Sequence, residues 1–394
     1  MEILEEREAV VDRVIMDLRS DKPGPTLLVI GGIHGNEPSG VFALEQIAEH
    51  FKEHNLSLDR GRLIAFRGNR RALSEKTRFI KRDLNRMWLW DFKHQCPIDP
   101  TTPEPDDEYD EYCDLQFRIH QVIKERTGPI CFLDLHTTSA ESAPFIMIGD
   151  TLRNRDLVQG IPVPIVLGVE EELDGPLLSY INELGHLSVG FEAGKHDAPE
   201  AIDAHAALTW VIAHRLGLIN DETQTPIDQS LIKLAELGAH LKNFYEVRYR
   251  HGIDSSDDFS MRLGFKNFQV VRKKEVIADD KKGPIQMPEN GRIFMPLYQK
   301  KGNDGFFQIR RIAPFWLVFS RKLRMWKAYK LIGLLPGVRN EGNPLLLKVN
   351  TSVARWYPRQ IFHLLGYRKI RMSGAFLYIK KRPFDFEEPP LQSF

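Results

Sequence analysis

The sequence lacks a net charge: 54 Lys+Arg stand against 54 Asp+Glu in 394 residues. On totals alone, that balance excludes an evident nucleic-acid binder and an acidic, solvating or disordered chain. No apolar run approaches the roughly 18 residues needed to cross a bilayer, and the longest near the C-terminus covers only residues 312–319. Cysteine is scarce. Cys96, Cys113 and Cys131 are an odd number without metal-like spacing, which excludes a disulfide scaffold and fits a reducing compartment. No internal repeat or low-complexity tract occurs, and the acidic start, Met1 to Glu8, holds no apolar segment of the signal-peptide kind. A cytoplasmic protein is the expectation.

What is present suffices for a sizeable core, since 42% of residues are hydrophobic and 10% aromatic, and the length suggests two domains with an appendage. Neutrality hides an asymmetry. Residues 310–382 contain 17 Lys/Arg and one acid, Glu341, so the rest of the chain is acidic by the same excess.

Apolar runs of strand length at residues 26–30, 63–66, 130–133, 145–148, 165–169 and 187–191 alternate with helical patterns at 39–51, 113–126, 199–216 and 230–241. This alternation predicts an α/β domain with a mostly buried sheet. Residues 91–112, acidic and broken by Pro97, Pro100, Pro103 and Pro105, predict a surface loop. After about residue 242 short alternating runs divided by Gly, Pro, Asp and Asn predict a small β-rich domain. The boundaries are thus expected at 1–241, 242–309 and 310–394, the last a basic extension carrying Trp316, Trp326, Trp356 and Tyr357 among its cations.

Four segments carry candidate chemistry. Gly31-Gly32-Ile33-His34-Gly35-Asn36-Glu37 lies where a strand ends and a helix begins, the place where α/β folds put their sites. His34 and Glu37 offer an imidazole and a carboxylate that can chelate one zinc ion. The spacing alone is weak evidence, because His50 and Glu53 repeat it on an amphipathic helix without glycines and are expected on a solvated face. A catalytic His₂Glu site needs a second imidazole; His136 at the end of an apolar strand is the best candidate, and Asp134 on the same side of that strand can orient it. Arg78 and Arg86 flank Asn85 in a cationic stretch suited to holding a carboxylate or stabilising an oxyanion. Glu192, between Gly190 and Gly194, is placed for general-base work.

Taken in order, Gly-Gly-x-His-Gly-Asn-Glu, Asp-Leu-Asn-Arg, Asp-Leu-His and Gly-x-Glu resemble the succinylglutamate desuccinylase/aspartoacylase family, a branch of the zinc carboxypeptidase-like fold. The resemblance covers roughly residues 20–310. It implies a mixed sheet flanked by helices, one Zn²⁺ held by His34, Glu37 and His136, and Glu192 shuttling a proton from water to the leaving amine. Arg78 would polarise the scissile carbonyl, while Asn85 and Arg86 would hold a substrate carboxylate. The implied reaction is hydrolysis of an N-acyl amino acid. Peptide cleavage by a metallocarboxypeptidase and a catalytically inactive zinc-containing binding or membrane-docking module are the alternatives.

Two departures bear on substrate. The family's carboxylate-gripping Arg, ten residues before the catalytic Glu, is Asn182 here, and its aromatic hydroxyl falls on Gly305-Phe306-Phe307, which offers only phenylalanines. N-acetylaspartate is therefore a doubtful substrate. The basic extension, outside the resemblance, has three readings: packing on the second domain or a partner subunit, attachment to an anionic membrane surface, or single-stranded nucleic acid, the last disfavoured because no known motif occurs.

Overall fold

A computed structural model describes residues 12–88, 107–220, 227–238, 241, 243–299, 301–340, 345–353, 359–382 and 384–389. Its first part runs β1 (Val14–Arg19), β2 (Thr26–Gly31), α1 (Ser39–Glu53), β3 (Arg62–Arg67), α2 (Arg70–Ser74), α3 (Asp107–Glu125), β4 (Ile130–Thr138), β5 (Phe145–Ile148), α4 (Leu152–Val158), β6 (Ile165–Leu167), α5 (Val169–Glu172), α6 (Leu177–Glu183), β7 (Leu187–Lys195), α7 (Glu200–Arg215) and α8 (Ile227–Leu237). There follow β8 (Phe244–Gly252), β9 (Ser260–Met261), β10 (Val270–Val271), β11 (Val276–Asp280), β12 (Gly283–Gln286), β13 (Gly291–Phe294) and β14 (Asp304–Arg311). The extension adds α9 (Pro314–Met325), β15 (Val338–Asn340), β16 (Leu346–Asn350), α10 (Arg359–Leu364), β17 (Tyr367–Ser373) and β18 (Phe376–Lys381).

The organising layer is a mixed sheet in the order β1-β3-β2-β4-β7-β5-β6-β8-β14-β13-β10. Its centre, β3-β2-β4-β7, is parallel. Strands buried on both faces need near-continuous apolar runs, and β2 supplies one, with Leu27 and Val29 packing against α1, α7 and α8 while Leu28 and Ile30 pack against α3 and α6. Successive residues point to opposite faces, so one short run serves two cores. The expected mixed sheet flanked by helices is what forms.

The sheet does not stop where the sequence changes texture near residue 242. Strand β8 pairs in parallel with β6, and Phe145, Met147 and Val166 share a core cluster with Tyr245, Phe294 and Phe307. A separate three-stranded sheet, β12-β11-β9, caps this region.

The acidic segment departs from expectation at its end. Residues 91–106 lie outside the described residues, but 107–112 open helix α3 instead of continuing a loop, and Glu108 and Glu111 are buried. Their partners explain it: Glu111 accepts from the fully buried Arg13 at 2.6 Å and from Arg70 at 3.1 Å. Cys113 is disulfide-bonded, whereas Cys131 is free and buried.

The extension builds an antiparallel sheet, β15-β16-β18-β17, with its own core of Val338, Leu347, Val349, Phe362, Tyr367, Leu377 and Ile379. It rests on the first domain through ion pairs. Arg324, fully buried on α9, donates to Asp150 Oδ2 at 2.7 Å, to the Asp150 carbonyl at 2.7 Å and to Asp385 at 3.1 Å. Arg382 reaches Glu170 at 3.0 Å and also Glu171, while Arg368 and Lys380 both meet Glu183. Packing on the body was one expected reading; the supporting surface is α4, α5 and α6 of the first domain instead of the second. Trp356 and Tyr357 lie outside the described residues.

Asp150 is buried between Arg155, at 2.5 Å, and Arg324. Burial alone would raise its pKa, but Arg155 and Arg324 outweigh it and hold the carboxyl below its ordinary range. The stabilisation is therefore present above the unfolded carboxylate range, about pH 4, and is lost as pH falls below it. Arg324→Met should destabilise the protein by about 3 kcal/mol, because it strips one partner from a buried charge. Urea unfolding at pH 7 measures this, and an unchanged midpoint would contradict the docking role.

Candidate active site

The site is built where parallel strands end together. Registers Gly31↔Leu135 and His136↔Glu192 bring the ends of β2, β4 and β7 to one edge of the sheet. Beyond β2 the chain turns sharply: Gly32 takes a φ of +74°, a region open to glycine at no steric cost. Gly35 lies so close to α2 that an added Cβ would sit 2.0 Å from the carbonyl of Ala72.

This turn faces His34 and Glu37 inward, both buried. The Glu37 carboxylate spans two imidazoles, with Oε1 at 3.0 Å from His34 Nδ1 and Oε2 at 3.1 Å from His136 Nδ1. The ligand atoms of His34, Glu37 and His136 lie within 4.8 Å of one another. Among the described residues no other His, Cys, Asp and Glu group of this kind occurs. His50 and Glu53 stay on the outer part of α1, away from this cluster, as expected.

Each imidazole is held from behind. Asp83 Oδ1 lies 3.1 Å from His34 Nε2 and Asp134 Oδ2 lies 2.8 Å from His136 Nε2, the carboxylate–histidine arrangement that orients metal ligands. The sequence pointed to Asp134 but gave Asp83 no role. Its signal was an N-cap aspartate: Asp83 accepts from Asn85 N at 2.9 Å and starts the short 3₁₀ helix Leu84–Arg86. One carboxylate thus orients His34 and shapes the turn that carries Asn85 and Arg86.

Electrostatics favour a cation here. Although burial works against it, the charges of His34 and His136 hold Glu37 well below the usual carboxylate range. Burial likewise opposes protonation of His136, yet Asp134 and Glu37 raise its pKa well above the ordinary value. Three carboxylates therefore surround two imidazoles in a buried site. Two nitrogens and one carboxylate are the donor set of catalytic zinc, and their convergence fits that ion.

The arginine segment is pinned by a residue that sequence reasoning placed in the surface loop. Glu108, buried at the start of α3, accepts from the backbone N–H of Ile80 at 2.6 Å, Lys81 at 2.9 Å and Arg82 at 3.2 Å. Burial raises its pKa, but the bonds from Lys81, Ile80 and Arg82 bring it below the ordinary value. Arg78 then reaches Glu37 at 3.4 Å and Asp83 at 3.1 Å. Asn85 spends its Oδ1 on the N–H of Leu177 at 2.9 Å, and Arg86 donates to Asp304 at 3.0 Å.

Glu192 lies beside His136 on β7, buried, with no hydrogen-bond partner for its Oε2 in the protein. Burial, helped by Glu37 and opposed by His136, pushes its pKa up to about 8. The pocket over this group is walled by Met147, Val169, Leu173, Leu178, Met295 and Phe307. Asn182 is turned away, bonding Leu178 O and Asn154; Phe306 packs against His251 on the other side of β14, and Phe307 is the phenylalanine that faces the pocket.

Fold and site together define a mixed α/β protein with a candidate metal centre at parallel strand ends. Residues 23–213 match the succinylglutamate desuccinylase/aspartoacylase catalytic domain. A succinylglutamate desuccinylase from a Silicibacter species is similar in structure, with 14% identity and a TM-score of 0.52 over 75% of this chain and 88% of that one. The product-bound ectoine utilization protein EutE (DoeB) from Ruegeria pomeroyi gives 16% identity and a TM-score of 0.51 over 75% and 87%. A succinylglutamate desuccinylase/aspartoacylase from Rhodobacter sphaeroides gives 19% and 0.50 over 74% and 87%. The comparison with curated proteins returns no match.

Glu108→Ala should free the arginine segment and leave three buried N–H groups unpaired, lowering stability by about 2–3 kcal/mol. Because the folded pKa of Glu108 is depressed, wild type should lose this contribution as pH falls through the carboxylate range, and the variant should show no such loss. Paired urea titrations at pH 7 and pH 4 measure both effects.

Proposed function

We propose that the protein is a zinc-dependent amidohydrolase that cleaves an N-acyl amino acid or related small acyl amide. The convergence of His34, Glu37 and His136 on one point, with Glu192 beside it, carries this reading. The family of residues 23–213 supports it. Zinc held by those three residues supplies a Lewis acid and makes a water molecule more acidic.

The chain's own groups account for the rest. Glu192 takes a proton from the attacking water and returns it to the leaving amine as the amide C–N bond breaks. Its raised pKa, set by burial, suits it to hold that proton between the two steps. Arg78, beside Glu37, faces the carbonyl oxygen and stabilises the charge that develops there. Asp83 and Asp134 fix the rings of His34 and His136.

The ligand's other end meets an apolar wall. Arg86 already has Asp304 as counter-ion, and Asp304 is shared with Arg250 at 2.5 Å. A substrate carboxylate at Asn85 and Arg86 would have to compete with that carboxylate. Met147, Leu173, Leu178, Met295 and Phe307 offer instead a bed for an aliphatic or aromatic group, worth about 1.5–3 kcal/mol for one well-buried side chain.

Purified protein should carry about one zinc per chain, lost in His34→Ala and retained in Glu192→Gln, with kcat in the latter down by about a hundredfold or more. Metal analysis and amine-release assays on the same samples decide this, and wild-type turnover by Glu192→Gln would refute the mechanism. An N-acyl amino acid with an apolar group should have a kcat/KM at least about tenfold above that of N-acetylaspartate, and Phe307→Ala should reduce the preference. Equal rates on the two substrates would reject the apolar assignment while leaving the metal site intact.

A further inference from the structure

Helix α9 is oriented opposite to an ordinary surface helix. Its inner edge is largely polar: Ser320 bonds the carbonyl of Leu364 at 2.9 Å, Arg324 holds Asp150, and Arg321 pairs with Asp156, with only Leu317 packing on the core of the body. Its outer edge carries Phe315, Val318, Phe319, Lys322, Met325 and Trp326, spaced by three and four residues and hence along one stripe. Phe315 is 66% exposed and Trp326 74%. The rings support one another, with Phe315 and Phe319 stacked at 5.8 Å and Trp316 edge-on to both. The 3₁₀ helix that follows, Ala328–Leu334, adds Leu331 and Leu334, which eclipse on one side and are 64% and 80% exposed.

The charge around this stripe has one sign. Residues 310–340 hold eight Lys/Arg and no acid. Arg321 and Arg324 are engaged by the body. Arg310, Arg311, Lys322, Lys327 and Lys330 are exposed and form no ion pair among the described residues. The inward cations Arg321 and Arg324 thus pair with acids of the body, and the outward cations surround exposed aromatics.

We propose that the outer face of α9 and the adjoining 3₁₀ helix is a docking surface for an anionic lipid bilayer. Tryptophan and phenylalanine seat at the boundary between headgroups and acyl chains, and lysine heads stay with the phosphates while their stems follow the apolar surface. Each cation near such a surface adds attraction. A second copy of this chain is a poor occupant, because a symmetric contact places the same cations against each other. No helix among the described residues is long and apolar enough to cross a membrane, so the contact lies in the plane of the interface. This inference does not depend on the proposed amidohydrolase activity.

The test is co-sedimentation of the full chain with vesicles of phosphatidylcholine containing roughly one third phosphatidylglycerol, against phosphatidylcholine alone. Wild type should sediment with the anionic vesicles, stay in solution with the neutral ones, and release at about 0.5 M salt. Phe315→Ser with Trp326→Ser, and separately Lys322→Glu with Lys327→Glu, should each weaken partitioning by about tenfold or more. Both pairs are exposed, and an unchanged circular dichroism melt shows that the variants still fold. Protein left in the supernatant with anionic vesicles, or binding equal in wild type and both variants, overturns the proposal. So does a dimer in analytical ultracentrifugation that the aromatic variant abolishes, since a second copy then covers the face.

Discussion

Everything in the candidate site depends on the parallel pairing of three buried strands. With β2, β4 and β7 in register, Gly31, Leu135 with His136, and Glu192 arrive at one edge of the sheet. A slip of one residue would turn His136 and Glu192 to the other face. That register is enforced by burial on both sides, since Leu27 and Val29 cannot exchange places with Leu28 and Ile30 without mixing two separately packed cores. The chemistry is therefore positioned by hydrophobic packing, with polar groups refining it.

The refinement comes from carboxylates placed behind the reacting groups. Asp83 and Asp134 address the far nitrogens of the two imidazoles, while Glu108 gathers three successive backbone N–H groups and so holds the arginine segment in place. Buried acids of this kind are tolerable because every one has cationic or N–H partners. Glu192, whose Oε2 has no partner in the protein, is the one that burial pushes up in proton affinity beside the two imidazoles. A buried carboxylate with a raised proton affinity that lines the pocket is a group whose protonation can change there.

The basic extension shows the same division between inward pairing and outward exposure. Arg324 and Arg382 bring it onto the first domain at Asp150, Glu170 and Glu171, and Glu170 itself lines the pocket. The extension is therefore structurally continuous with the wall of the site, through one ion pair, even though residues 23–213 are all that the family covers. Part of the formal zero of charge is thus a folded neutrality, in which Arg321, Arg324, Arg368, Lys380 and Arg382 meet acids of the body.

The sequence by itself determined the central strands, four of the helices packed around them (α1, α7, α8 and most of α3), and the four short segments that hold His34, Glu37, Asn85, His136 and Glu192. These are local features: apolar runs of the right period and polar residues at strand ends, legible without knowing what packs where. Several others required the tertiary structure. Glu108 and Glu111 read as members of an acidic loop, because composition cannot show that Arg13, Arg70 and three backbone N–H groups will surround them. Asp83 read as one more charge in a cationic stretch until His34 was brought beside it. The continuation of the sheet through β8, the counter-ion that Asp304 gives Arg86, and the outward turn of the aromatics on α9 follow from contacts between residues far apart in the chain. A residue's type and spacing set what it can do; which partners share its buried surroundings is decided only when distant segments pack together.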